Sequence, residues 1–249
     1  MTEIINFAAG GFRFAKGVFP YAAGVAAQAG FAIERARLTR HLGIEDGFAA
    51  IAAHLRGLGR PLTAFCACEL RSPAQMTSAQ FATLNRAYVG TLKQWGLFAD
   101  DTNAVARSNV CPEIAPPAQP GFFAFSYTVE RPKARPSFVV AGSGEVPEGH
   151  ADYGPHIVRR GDASAGALLE KAQWVLGEME RRLGVLGFSW ADTTATQVYT
   201  VRNIHPFLAD AIIARGAGHA GLTWHYTRPP IVELEYEMDC RAVHAEIVI

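Results

Sequence analysis

Few of the 249 residues combine a chemically useful side chain with a distinctive setting. Arg107, within Ala106-Arg-Ser-Asn-Val110, is the first of them. A planar guanidinium presents its donors in a fixed fork and clamps a carboxylate through two of them, which a lysine does not reproduce. The alternative is an ordinary surface arginine. His225 lies between Trp224 and Tyr226, with Arg228 nearby. An imidazole there could shuttle a proton or simply pack on its aromatic neighbours. Asn85 and Asn109 could orient a water or a polar group of a substrate, and would serve equally well in a helix or a turn.

Other patterns point away from familiar chemistries. Cys66 and Cys68 share one face of an expected strand, but no second Cys or His cluster follows at zinc spacing, so core packing accounts for them. Gly142-Ser-Gly144 with Gly149 lacks the Lys-Ser/Thr of a phosphate loop and opens no helix. The eight histidines are scattered. No metal or cofactor is expected. With 23 basic and 23 acidic residues, the chain has no broad positive footprint for nucleic acid. No run approaches the ~20 apolar residues of a membrane span, and residues 1–11 lack the basic start of a secretion signal. Four irregularly spaced cysteines make no disulfide framework. These features together predict a reduced, cytoplasmic setting.

Hydrophobic residues make up 49% of the chain and charged ones 18%, enough for a substantial core. In the second half, Leu168, Ala172, Val175, Met179, Leu183 and Leu186 recur at three- and four-residue steps, predicting an amphipathic helix over 162–187 that Gly187 closes. A Thr-, Val- and Tyr-rich strand is expected over 188–202. A shorter helix follows from about Pro206, then strands over 231–238 and 242–249. The first half repeats this order: a helix over 44–58, a strand over 62–70, a second helix over 78–95, and strands over 108–114 and 122–129. Aligning the halves sets 65–70 against 196–201. The shared order predicts a duplication, with units 1–130 and 131–249 joined at the proline-bearing segment 131–136.

Each half, as an α+β unit, resembles the RidA/YjgF family. Phe138-Val-Val-Ala-Gly-Ser-Gly144 is similar to the family's early strand and its turn, which makes Ser143 a candidate. Ala106-Arg-Ser-Asn-Val110 is similar to the motif holding the family's substrate-binding arginine, and Phe81-Ala-Thr-Leu-Asn85 to its second helix. Pro20-Tyr21 resembles an early pair whose tyrosine lines the cleft. The resemblance implies a mixed sheet on two helices per domain, a homo-oligomer with a trimer favoured, and ligand clefts between domains. It implies that Arg107 holds the carboxylate of a small imino or enamine acid. A terminal-strand carboxylate is the family's usual acid, and Glu246 in Ala245-Glu-Ile-Val-Ile249 is the residue that matches it.

The halves then look complementary. The first keeps the arginine without an acid, because its last strand reads Phe122-Phe-Ala-Phe-Ser-Tyr127. The second keeps Glu246, but Pro230 or Ile231 stands where the arginine belongs. A composite site is the expectation, with Arg107 and Arg228 for the two carboxylates of a substrate such as 2-aminomuconate or its chlorinated analogue. The activity implied is hydrolytic deamination. A chorismatase-like hydrolase and a silent metabolite-binding pair are the alternatives.

Overall fold

The computed structural model describes residues 2–249. Three short strands open it, β1 (Ile4–Phe7), β2 (Phe12–Ala15) and β3 (Gly24–Ala27). The first half continues with β4 (Phe31–Gly43), α1 (Ile44–Gly57), β5 (Phe65–Arg71) and α2 (Ser78–Gln94). It closes with a minor hairpin of β6 (Phe98–Ala99) and β7 (Thr102–Asn103), then β8 (Ala106–Pro112) and β9 (Gly121–Glu130). The second half runs through β10 (Phe138–Gly144), α3 (Ala165–Leu186), β11 (Ala195–Tyr199) and β12 (Thr223–His225). It ends with β13 (Thr227–Arg228), β14 (Glu237–Ala242) and β15 (Ala245–Val248).

Local chemistry sets the helix ends. Thr77 and Gln80 form a capping box at the start of α2, Gln80 N donating to Thr77 Oγ1 at 3.3 Å and Thr77 N to Gln80 Oε1 at 2.9 Å. Ser164 caps α3, and Gly187 ends it in the left-handed region at φ 83°. The buried stripe of α3 covers one apolar core, while Phe48, Ile51 and Leu55 of α1 and Tyr88, Val89 and Leu92 of α2 cover the other.

The strands form a seven-stranded sheet, β1-β2-β3-β10-β14-β11-β12, and a six-stranded sheet, β13-β8-β5-β9-β4-β15. Each sheet is built around four adjacent strands of one half, and their spatial order is the same: first, fourth, second, third. The pairing senses agree as well. The fourth strand is antiparallel to both neighbours, and the second and third strands are parallel. Two sheets of one topology in one chain are the tandem α+β architecture expected of a duplication. The chain ends cross over. β3 pairs with β10 in the second half's sheet, and β15 pairs with β4 in the first half's sheet. The sheets meet where β8 packs on β10, and Ser108 Oγ donates to Asp239 Oδ2 at 2.6 Å across the join.

Three expected elements come out differently. The strand expected over 188–202 shrinks to β11, because Ser189 and Asp192 cap a tight turn at Trp190–Asp192. The second helix is a single turn, His205–Phe207, running on into irregular turns up to Arg215 ahead of Gly216, whose φ is 119°. The terminal strands are displaced, since 231–236 is irregular and the core strand is β14. The Glu145 carboxylate explains that shift. It accepts the amides of Glu235 and Tyr236 at 2.6 and 3.0 Å, satisfying them outside any ladder.

Lys171 Nζ meets Glu145 at 3.1 Å with both side chains fully buried. Burial pushes the Glu145 carboxyl up, against the pull of Lys171 and the two amides. Removing one partner of such a pair costs about 3–5 kcal/mol. Lys171→Met should therefore lower Tm by about 10 °C in thermal unfolding; a drop below about 2 °C would refute this role.

Candidate active site

Arg107 is the second residue of β8, beside Cys68 of β5 in parallel register. It is 2% exposed. Its Nη2 donates to Asn85 Oδ1 of α2 at 2.8 Å, while Nε and Nη1 have no hydrogen-bond partner among the described residues. Three aromatic rings surround the guanidinium, those of Tyr88, Tyr21 and Phe81, with centroids 5.0, 5.5 and 5.6 Å from Cζ. Cation–π contact keeps the charge tolerable there, but buried donors without partners are rare in folded proteins. The vacant Nε and Nη1 lie on different edges of the guanidinium, and one of them, with the second Nη2 hydrogen, offers an edge to a planar, anionic acceptor.

Tyr21 reaches this place through a tight turn. Val18 and Tyr21 exchange backbone hydrogen bonds at 3.1 Å, and Ala22 N donates to Val105 O at 2.8 Å just ahead of β8. Across from Arg107 lies the second half's sheet. A small cavity of about 40 Å³ is lined by Tyr21, Phe81, Arg107, Asn109, Ser143, Tyr153, Ile231 and Glu237, among others. A wider groove of about 580 Å³ shares the Phe81 and Tyr153 walls and also contains Asn85. These two rings meet edge to face at 6.5 Å.

Glu237 opens β14, opposite Gly144 of β10 and Tyr199 of β11. It is 4% exposed. Its carboxyl lies so close to Gly142 that a Cβ there would sit 2.3 Å from Glu237 Oε1, so only glycine leaves room. Burial first, then the negative charges of Asp239 and Glu145, push this carboxyl well above the ordinary glutamate range, with Arg107 and Arg182 opposing. The result is a buried carboxyl whose neutral form is favoured, sharing a cavity with a guanidinium that has free donors. Arg182, fully buried, braces the surroundings by donating to the carbonyls of Ala141 and Gly142 and to Glu148 Oε1. Burial and Glu148 hold the Tyr21 phenol in its protonated form.

Five sequence candidates gather here. Arg107, Asn109, Ser143 and Tyr21 line the cavity, and Asn85 bonds the arginine directly. Asn109 Oδ1 accepts from Ser72 Oγ at 3.0 Å, leaving Nδ2 without a partner. The other three candidates lie elsewhere. Glu246, on β15 at the far edge of the six-stranded sheet that carries Arg107, is held by Arg241 at 2.8 Å and Arg35 at 3.1 Å. That ion cluster, with Arg35 also bidentate on Glu69 at 2.6 and 2.9 Å, fastens the C-terminal strand. Arg228 is engaged by Glu113 through contacts of 2.7 and 3.1 Å. His225 bonds Gln197 at 3.0 Å and stacks on Tyr199; burial above all brings its pKa down to about 4, too low for proton transfer near neutrality.

The cavity also holds a buried carboxyl that the sequence reading did not name, that of Glu237. Its signal was present: Glu237 and Asp239 alternate on one face of a strand whose other face carries Met238 and Cys240. Register also corrects the arginine's counterpart. Arg107 stands beside Cys68, and His225 stands beside Tyr199 in the aligned strand pair. His225, not Pro230 or Ile231, therefore occupies the second half's arginine position. In the first half, Phe125 stands beside Cys68 where Glu237 stands beside Tyr199. One half holds the arginine, the other the acid, and one cavity joins them.

The sequence model of a family described as "2-aminomuconate deaminase CnbZ" matches residues 4–247. A 2-amino-5-chloromuconate deaminase of Comamonas testosteroni is 47% identical over 251 residues, covering 100% of both chains. Solved structures align with less of the chain. The YyfB protein of the Rid family from Yersinia pestis is 20% identical, covering 47% of this chain and 83% of its own, with a TM-score of 0.32. The E. coli YjgF gene product is 16% identical, covering 43% and 80%, with a TM-score of 0.29. Matched over nearly its whole length, the chain belongs to the 2-aminomuconate deaminase CnbZ family.

Proposed function

We propose that this chain hydrolytically deaminates a 2-aminomuconate-type enamine, with or without a 5-chloro substituent, to the 2-oxo acid and ammonia. The observation that carries this reading is a guanidinium with two vacant donors and a buried carboxyl lining one cavity. Arg107 takes the carboxylate beside the amino-bearing carbon along one edge, through a vacant Nε or Nη1 and the second Nη2 hydrogen. Glu237 gives its proton to the carbon end of the enamine, leaving an iminium and a carboxylate. Water then adds to the iminium carbon while Glu237 takes back a proton. The carbinolamine collapses as Glu237 protonates nitrogen and recovers the hydroxyl proton; the C–N bond breaks, ammonia leaves and C=O forms. Enamine and water are consumed, ammonia and oxo acid are produced, and Glu237 ends protonated.

Asn85 fixes the guanidinium, and Tyr21 and Ser143 shape the wall. The units 1–130 and 131–249 act as one composite site. Four free, buried cysteines suit a reducing cytoplasm. The open edge of β15, with Ile247, Val248 and Ile249 exposed, suits self-association, which we place at a trimer. The test is ammonia release from freshly generated 2-aminomuconate. Enzyme-dependent release in proportion to enamine lost is expected, and release no faster than in buffer would refute the proposal.

A further inference from the structure

The cavity beside Arg107, at about 40 Å³, holds little more than a carboxylate and a water. A six-carbon diacid must continue beyond it. The adjoining groove shares Phe81 and Tyr153 and has the size of an ordinary ligand site, about 580 Å³. One face of α2 builds its floor: Ser78, Phe81, Ala82, Asn85 and Arg86 follow at helical three- and four-residue steps. The residue that orients Arg107 is thus the immediate neighbour of Arg86. Arg86 is exposed, donates to Thr83 Oγ1 at 3.1 Å, and makes no ion pair among the described residues. The facing wall, Val18, Phe19 and Pro20, is apolar.

We propose that this groove is the subsite for the distal carboxylate of an unsaturated dicarboxylate, with Arg86 as its cation and Val18, Phe19 and Pro20 against the carbon chain. The assignment rests on the proposed function for the Arg107 end and replaces Arg228, which Glu113 occupies. It makes the spacing of two arginines around one helix the basis of selection for diacids over short monocarboxylates.

Two unreactive probes with the same six-carbon diene test it by calorimetry: muconate, with two carboxylates, and sorbate, with one. The wild-type protein should bind muconate more tightly than sorbate, and Arg86→Met should reduce that preference about fivefold, the scale of one solvent-exposed charge pair. Arg86→Lys should retain part of it. Equal binding of both probes to wild type, or an unchanged preference in Arg86→Met, overturns the subsite. The measurement needs no turnover: wild-type protein that releases no ammonia yet shows the Arg86-dependent preference would sink the deaminase reading and leave the subsite standing.

Discussion

Arg107→Lys is expected to lower kcat/KM for 2-aminomuconate by roughly 100- to 1000-fold, the scale of losing a desolvated, two-pronged contact to an anion. The arginine is 2% exposed and ringed by Tyr21, Phe81 and Tyr88, so its charge is little screened. Lysine keeps the charge but not the fork. A single ammonium cannot donate to Asn85 and also offer two parallel bonds to a carboxylate. Near-wild-type Tm alongside the lost rate would separate recognition from folding. Activity within about threefold of wild type would remove Arg107 from the site.

Glu237→Gln is expected to reduce kcat by about 100- to 10,000-fold, the range of a positioned general acid. The amide keeps the shape above Gly142 and cannot cycle a proton. The pH dependence has a definite sign. The reaction begins with the protonated acid, so the wild-type rate should fall as pH rises through the elevated Glu237 pKa. A substrate carboxylate on Arg107 neutralises the charge that opposes this elevation, so bound substrate moves the limb further alkaline. Stability carries the same information. A carboxyl raised in the fold costs nothing below its unfolded pKa near 4.5, and stability is lost as pH climbs from there toward the folded value. Glu237→Gln abolishes that loss, so the inactive variant should be more heat-resistant than wild type at neutral and alkaline pH, the usual conflict between a strained site and a stable fold. Glu246→Gln, by contrast, should stay within about threefold of wild-type activity, because its partners are Arg35 and Arg241. The opposite ranking of the two glutamine variants would return the acid to Glu246.

Features written in local sequence were legible. The apolar stripe of α3 and its closing Gly187 lie within a few turns of one another, and α2 runs within a residue of its expected bounds. Arg107 stood out because its motif is contiguous, and the structure places it on the cavity wall. What escaped depends on long-range pairing. Residues 245–248 read as a terminal strand, but their ladder partners are 34–37, in the other half's sheet. Nothing near Glu246 in sequence announces Arg35. Glu237 escaped because the run 231–238 looks continuously strand-like, while the fold interrupts it where Glu145, some 90 residues earlier, takes the amides of Glu235 and Tyr236. Tyr153 comes from the irregular segment between β10 and α3, and only tertiary packing brings it to Phe81. That residues of both halves line one cavity agrees with what each half lacks in sequence, whereas the place of Glu237 in it was not readable.

We place the reacting substrate in the Arg107–Glu237 cavity between the two sheets. A crystal structure with muconate bound tests it most directly. One carboxylate should lie on an edge of the Arg107 guanidinium, the adjoining diene carbons within reach of the Glu237 carboxyl, and the far carboxylate in the groove beside Arg86. Muconate seated instead at the Arg35–Arg241–Glu246 cluster or beside His225, with Arg107 untouched, would contradict it.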